Sequence, residues 1–161
     1  MAIDATVGGA SSNSYATLAE ADAYFAAGLR ADTWDSYAPN KKEAALLEAA
    51  ADLDLEIYLG SKTDTDQALK FPRASIRDVD GNLLADDAIP QNVKSAQCEL
   101  AFVKLSDPDS LEVDGLARYK QISLGQGEID VTPRQGQPTL PSKVMRLLGN
   151  LINNSIRAVR S

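Results

Sequence analysis

Ser14-Tyr15-Ala16-Thr17-Leu18-Ala19-Glu20-Ala21-Asp22-Ala23-Tyr24-Phe25 is the stretch whose reading decides the fold class. Thr17 and Glu20 have capping-box spacing: the threonine oxygen can accept the amide three residues on, while the glutamate reaches back. Behind that cap, Leu18, Ala21, Phe25 and Leu29 recur on one helical face, and Gly28 lies near the end. The spacing predicts a helix. Residues 1–13 are small and polar, ending Gly8-Gly9-Ala10-Ser11-Ser12-Asn13, and read as a flexible N-terminal arm without a core of its own.

Downstream, Trp34 and Tyr37 fall in a short connector expected to fold onto the core. Asn40 and Glu43 offer a second helix start. From Ala44 to Leu59, the residues Leu46, Leu47, Ala50, Leu53 and Ile57 share a face, with Gly60 as the stop. Residues 61–89 read as a loop with a small hairpin. Phe71-Pro72-Arg73 interrupts any helix, and Asp80-Gly81-Asn82 is a turn signal between two short apolar pieces. Pro90 suits the first turn of a third helix, which Val93, Ala96, Leu100 and Val103 carry to about Leu105.

Ser106-Asp107-Pro108-Asp109-Ser110 breaks that helix. Spaced apolar residues around Gly125-Gln126-Gly127 read as a second hairpin. A proline-rich linker, 133–141, leads into a last helix with Val144, Leu147, Leu148, Leu151 and Ile152. Arg157 and Arg160 fall near its end, where cations suit the helix dipole. The expected fold is mainly α: a bundle of about four helices with one or two β-hairpins and extended terminal segments. Its parts are the arm 1–13, a helical domain 14–132 with hairpin insertions, and 133–161 as linker and C-terminal helix.

Composition narrows the function. The chain has 161 residues and 44% apolar side chains, enough for one domain with a real core. No apolar run reaches the length of a membrane span, and the first residues carry no secretory pattern, so a soluble protein made in the cytoplasm is expected. Cys98 is the single cysteine, which precludes an intramolecular disulfide, and its helical context favours a small residue in or near the core. Histidine is absent, removing Ser-His-Asp and Cys-His catalysis and the commonest metal ligand.

The remaining candidates for chemistry are weak. Asp78-Val79-Asp80-Gly81-Asn82 resembles the start of a calcium loop, but the sixth and twelfth positions hold Leu83 and Ile89 instead of glycine and glutamate. Gly125-Gln126-Gly127 lacks the Gly-Lys-Ser/Thr ending of a phosphate loop. Asp86-Asp87 and Ser61-Lys62 are neighbours in polar loops and form no site. No catalytic, cofactor-binding or metal-binding residue is therefore expected, and the chain reads as a non-enzyme that needs no cofactor. Net charge is −7, unevenly spread: residues 1–114 carry 21 acidic and 9 basic side chains, and residues 115–161 carry 2 and 7. The basic end could dock on an acidic partner, while most of the chain should repel nucleic acid weakly.

Three segments together resemble a known family. Ser14 to Phe25 is similar to the opening of small tailed-phage proteins encoded among head and neck genes. Trp34, then Lys42-Glu43-Ala44-Ala45-Leu46-Leu47, then Gln67-Ala68-Leu69-Lys70-Phe71-Pro72-Arg73 follow in that family's order, with Phe71 where its members usually have tryptophan. Ile89-Pro90-Gln91-Asn92-Val93 and the helix after it also fit. The resemblance covers roughly residues 14–105, and the last hairpin and helix fit more loosely. Such proteins are often labelled DnaT-like single-stranded-DNA-binding proteins, and they also resemble head–tail adaptor, or head-completion, proteins.

The adaptor resemblance implies a helical bundle assembled as a ring, usually a dodecamer, beneath the portal protein of the virion. That ring extends the channel through which packaged double-stranded DNA passes without specific binding during genome ejection. It also docks a downstream neck or tail protein. On this reading the protein resides at the head–tail interface, after assembly in the host cytoplasm, and has no membrane partner. Lys143, Arg146, Arg157 and Arg160 are the candidate portal or partner contacts. The alternative is a single-stranded-DNA-binding replication accessory protein.

Overall fold

The computed structural model of the chain describes residues 2–78, 80–108 and 140–152. These form five helices and a two-stranded antiparallel sheet, the mainly helical bundle with a hairpin that the sequence predicts. Helix α1 (Leu18–Ala26) begins at the expected capping box. The Glu20 amide donates to the Thr17 hydroxyl oxygen at 3.2 Å, and the Thr17 amide donates to the Glu20 carboxylate at 2.8 Å. The helix stops at Ala26, where the Gly28 amide turns back onto the Phe25 carbonyl, so Leu29 lies on the surface outside the apolar face. The connector that follows contains a one-turn helix, α2 (Ala31–Asp35), and buries Trp34 completely, as its position predicts.

Helix α3 (Pro39–Leu53) starts on a proline, whose missing amide hydrogen costs nothing in the first turn, and uses no side-chain cap. It ends at Leu53 and does not continue to Leu59. Two contacts from residues beyond the helix hold that stop. The Leu53 carbonyl, at the helix end, accepts the Glu56 amide at 3.1 Å and the Tyr58 hydroxyl at 2.8 Å. Asp54 turns its carboxylate to the amide of Lys70 at 2.8 Å. Ile57, expected on the core face, is therefore half-exposed.

Gly60 serves a later turn. Its φ is +67°, and a Cβ there would collide with the carbonyl oxygen of Ala74. The close approach belongs to strands β1 (Ser61–Lys62) and β2 (Arg73–Ala74), which pair antiparallel with Ser61 opposite Ala74. Both strands fall where a loop was expected, because two exposed or half-exposed residues carry no alternation to read. The predicted hairpin at Asp80-Gly81-Asn82 is present: Arg77 bridges Leu83, and the Leu84 amide donates to the Ile76 carbonyl at 2.9 Å. The second expected hairpin, 119–131, and the linker up to residue 139 lie outside the described residues.

Helix α4 (Gln91–Ser106) is the axis of the bundle. It packs on α3, on α1 and on the last described helix, α5 (Ser142–Leu148). Pro90 and Pro141 stand at the N-caps of α4 and α5, so Pro90 lies just ahead of the first turn in which the sequence reading places it. Val144 and Leu148 of α5 enter the core, and after Gly149 the chain turns so that Leu151 and Ile152 follow them. The Leu59 amide donates to the Leu151 carbonyl at 2.9 Å, and Tyr58 bridges Ile152 in antiparallel sense. Residues 2–13 close on themselves, with the Asn13 amide on the Asp4 carbonyl at 2.9 Å, and Ile3 packs against the core. No described helix is long and apolar enough to cross a membrane.

Candidate functional site

The residues that carry the family resemblance meet at three polar joints inside the bundle. The first centres on Gln97 of α4, which is fully buried. Its side-chain oxygen accepts the amides of Tyr15 at 3.0 Å and Ala16 at 2.9 Å. Its amide nitrogen donates to the Ser14 hydroxyl at 2.7 Å and to the Leu46 carbonyl of α3 at 2.8 Å. All four hydrogen-bonding positions of one glutamine are thus occupied. Ser14-Tyr15-Ala16 is the segment it holds, which explains why that tripeptide precedes the α1 cap.

The second joint links α1, α2 and α3. The Trp34 indole donates to Asp22 at 2.7 Å and stacks on Phe25 with ring centroids 4.4 Å apart. The buried ammonium of Lys42 lies 3.1 Å from the same Asp22 carboxylate and 5.1 Å from the indole centroid. The carboxylate and the ring face thus hold the Lys42 ammonium from two sides.

The third joint is Glu99, whose side chain is 3% exposed. Its carboxylate accepts from the Tyr24 hydroxyl at 2.7 Å, from the Lys143 ammonium at 2.7 Å and from the Arg30 guanidinium. Arg30 itself lies over the rings of Phe25 and Phe102. Burial opposes ionisation of Glu99, but the hydrogen bonds from Arg30, Lys143 and Tyr24 outweigh it and hold the carboxyl below its ordinary value. Burial next to this carboxylate pushes the Tyr24 phenol up.

The segment Gln67 to Arg73 is structural in the same sense. Gln67 is buried, accepts the Asp64 amide at 3.0 Å and donates to the carbonyls of Leu69 and Pro72. Phe71, joined to Pro72 by a cis peptide bond, packs edge-on against Tyr15 and Tyr58. The Arg73 guanidinium donates to the carbonyls of Leu59 and Gly60, each at 2.7 Å. Tyr15 ties this segment to the end of α3 by donating its hydroxyl to Asp54.

The four residues expected to contact a portal or partner divide. Lys143 and Arg146 stand on α5. Lys143 remains 58% exposed although it is committed to Glu99, and Arg146 is exposed. Arg157 and Arg160 lie outside the described residues.

Two of the other sequence candidates for chemistry are bonded locally, and Gly125-Gln126-Gly127 lies outside the described residues. The Asp78 carboxylate accepts the amides of Asp80 and Asn82 within the hairpin turn, at 2.9 and 2.8 Å. Lys62 donates to the Gln67 carbonyl at 2.9 Å. Among the described residues, no three Cys, Asp or Glu side chains stand together as metal ligands. Cys98 is buried, as expected. Desolvation first, and then the Glu99 charge, push its thiol up to about 12.

Gln97 and Glu99 are the residues that the sequence reading passed over. A signal was present: between Lys94 and Lys104, Glu99 is the only charge, in a helix of small and apolar residues. A helix without a charged face is buried all round, so any polar side chain on it must find partners inside.

Fold and joints together define a small α-helical protein whose distinctive residues build its interior. The chain belongs to the family described as "Putative DnaT-like ssDNA binding protein", whose sequence model matches residues 1–161. No curated protein and no solved structure matches it.

Proposed function

We propose that the chain is a structural subunit of a tailed-phage neck, with no catalytic role. In this reading it forms a ring under the portal, extends the DNA channel and docks a neck or tail protein. The resemblance of residues 14–105 to such adaptors supports it, and one observation carries it: the placement of cations and aromatic rings. The described residues include 11 lysines and arginines against 18 aspartates and glutamates. Arg30, Lys42, Lys94, Lys104 and Lys143 are engaged by carboxylates, while Lys62, Lys70, Arg73 and Arg77 are engaged by backbone carbonyls.

The rings are withheld in the same way. Every described Phe, Tyr and Trp is buried or half-buried. A surface that grips single-stranded nucleic acid needs free cations for phosphates and exposed rings for bases. This body offers neither in quantity, whereas an acidic wall lets DNA pass without adhering.

The family description favours a second reading, single-stranded-DNA binding. It would have to draw on the cations at 118, 120, 134, 157 and 160, outside the described residues. Fluorescence anisotropy with labelled single-stranded DNA at about 50 mM salt separates the two, because phosphate-driven binding is strongest there and collapses at about 200 mM. The adaptor reading expects no binding at either salt, together with rings at the portal vertex when the protein is mixed with portal and viewed by electron microscopy. Salt-sensitive binding without rings would overturn it.

A further inference from the structure

The outer face of α3 carries an open groove that nothing described fills. Ala44, Leu47, Ala51 and Leu55 line it at helical spacing, and Leu55 is 78% exposed. One lobe, of about 480 Å³, lies between Leu47, Ala51, Leu55 and Leu69. The other, of about 330 Å³, shares Leu47 and is edged by Glu43 and Glu48. Asp54, already bonded to the Tyr15 hydroxyl and the Lys70 amide, also lines the first lobe, and no lysine or arginine lines either lobe. A groove that is apolar along its floor and acidic along its edge fits a short basic segment with apolar side chains on one side.

We propose that this groove is the docking site of the chain's own residues 153–161, Asn153-Asn154-Ser155-Ile156-Arg157-Ala158-Val159-Arg160-Ser161. Direction, reach and chemistry support the assignment. Ile152 bridges Tyr58 in antiparallel sense, and the Leu59 amide bonds the Leu151 carbonyl. That antiparallel sense points back past Ile57 toward Leu55, the edge of the groove. Nine residues can reach about 30 Å when extended, and α3, with 15 residues, is about 22 Å long. The segment therefore covers the groove without strain.

The chemistry of the segment matches as well. Ile156 and Val159 stand three residues apart, and Arg157 and Arg160 are its only charges. Docking places two apolar side chains over the Leu47–Leu55 floor and two guanidinium groups against the carboxylates at its edge. It also withdraws Arg157 and Arg160 from other partners until the segment is displaced. The assignment rests on α3 and on residues 153–161 alone, so it stands or falls separately from the adaptor reading.

The test uses the full chain carrying Leu55→Cys, at an exposed position, and Ser155→Cys, in the middle of the proposed docking segment. Cys98 stays silent because it is buried. Mild oxidation should give a bond within one molecule, read by mass spectrometry on the monomer. Adding Arg157→Glu and Arg160→Glu should reduce its yield several-fold, as should raising the ionic strength. A bond between two molecules would assign the groove to a second copy and overturn the proposal. No bond, or a yield indifferent to the charge reversals, would overturn it too.

Discussion

Gln97 shows how much one side chain can carry in this protein. It satisfies two backbone amides ahead of α1, a hydroxyl and a carbonyl of α3, with no contact to spare. Gln97→Leu keeps the approximate volume but leaves the Tyr15 and Ala16 amides buried without partners. Each such orphan costs about 1–3 kcal/mol, so the variant should lose at least about 2 kcal/mol, read as a lower urea midpoint. An unchanged midpoint would mean that the segment 14–16 finds other partners. The sequence marks Ser14, Trp34 and Lys42 through their resemblance to a family, but not their purpose. That purpose is three-dimensional: Asp22, Trp34 and Lys42 meet across 20 residues of sequence, and no local pattern announces such a meeting.

Elements divide by whether local or distant contacts set their limits. The start of α1 is local, and Thr17 and Glu20 make it legible from sequence alone. Thr17→Ala removes the cap oxygen and should cost about 1 kcal/mol. The end of α3 depends on residues outside the helix. It is set by Tyr58 on the Leu53 carbonyl and by Asp54 on the Lys70 amide, so periodicity overruns it by six residues, from Leu53 to Leu59. Gly60 belongs with the second kind. Gly60→Ala meets both a positive φ and the Ala74 carbonyl and should destabilise more than Thr17→Ala, by about 2 kcal/mol or more. Thermal melts of the two variants side by side give the order, and a milder effect at Gly60 would show that the β1–β2 turn can relax.

At the scale of the whole molecule, acid should loosen what Glu99 ties together. Its folded carboxyl titrates below the ordinary value of 4.5. A depressed carboxylate contributes its full stabilisation above the ordinary value and loses it as pH falls through the folded one. The melting temperature should therefore fall as pH drops below about 4.5, and Glu99→Gln should flatten that slope while lowering stability at neutral pH. An equally steep slope in the variant would place the acid sensitivity elsewhere. The helical class, the order of α1, α3, α4 and α5 and the burial of Trp34 and Cys98 were readable from sequence. The internal pairing of the cations was not, because a lysine in a sequence looks the same whether it faces solvent or a buried glutamate.

The packing around Trp34 has an optical consequence. The chain contains one tryptophan, so its emission comes from a single place, the seam where α1, α2 and α3 meet. That indole is shielded from solvent, and water reaches it only when the seam parts. Fluorescence from the unlabelled protein is thus a built-in gauge of that one junction. It reports whether the seam is open or closed during denaturation, assembly or encounter with a partner.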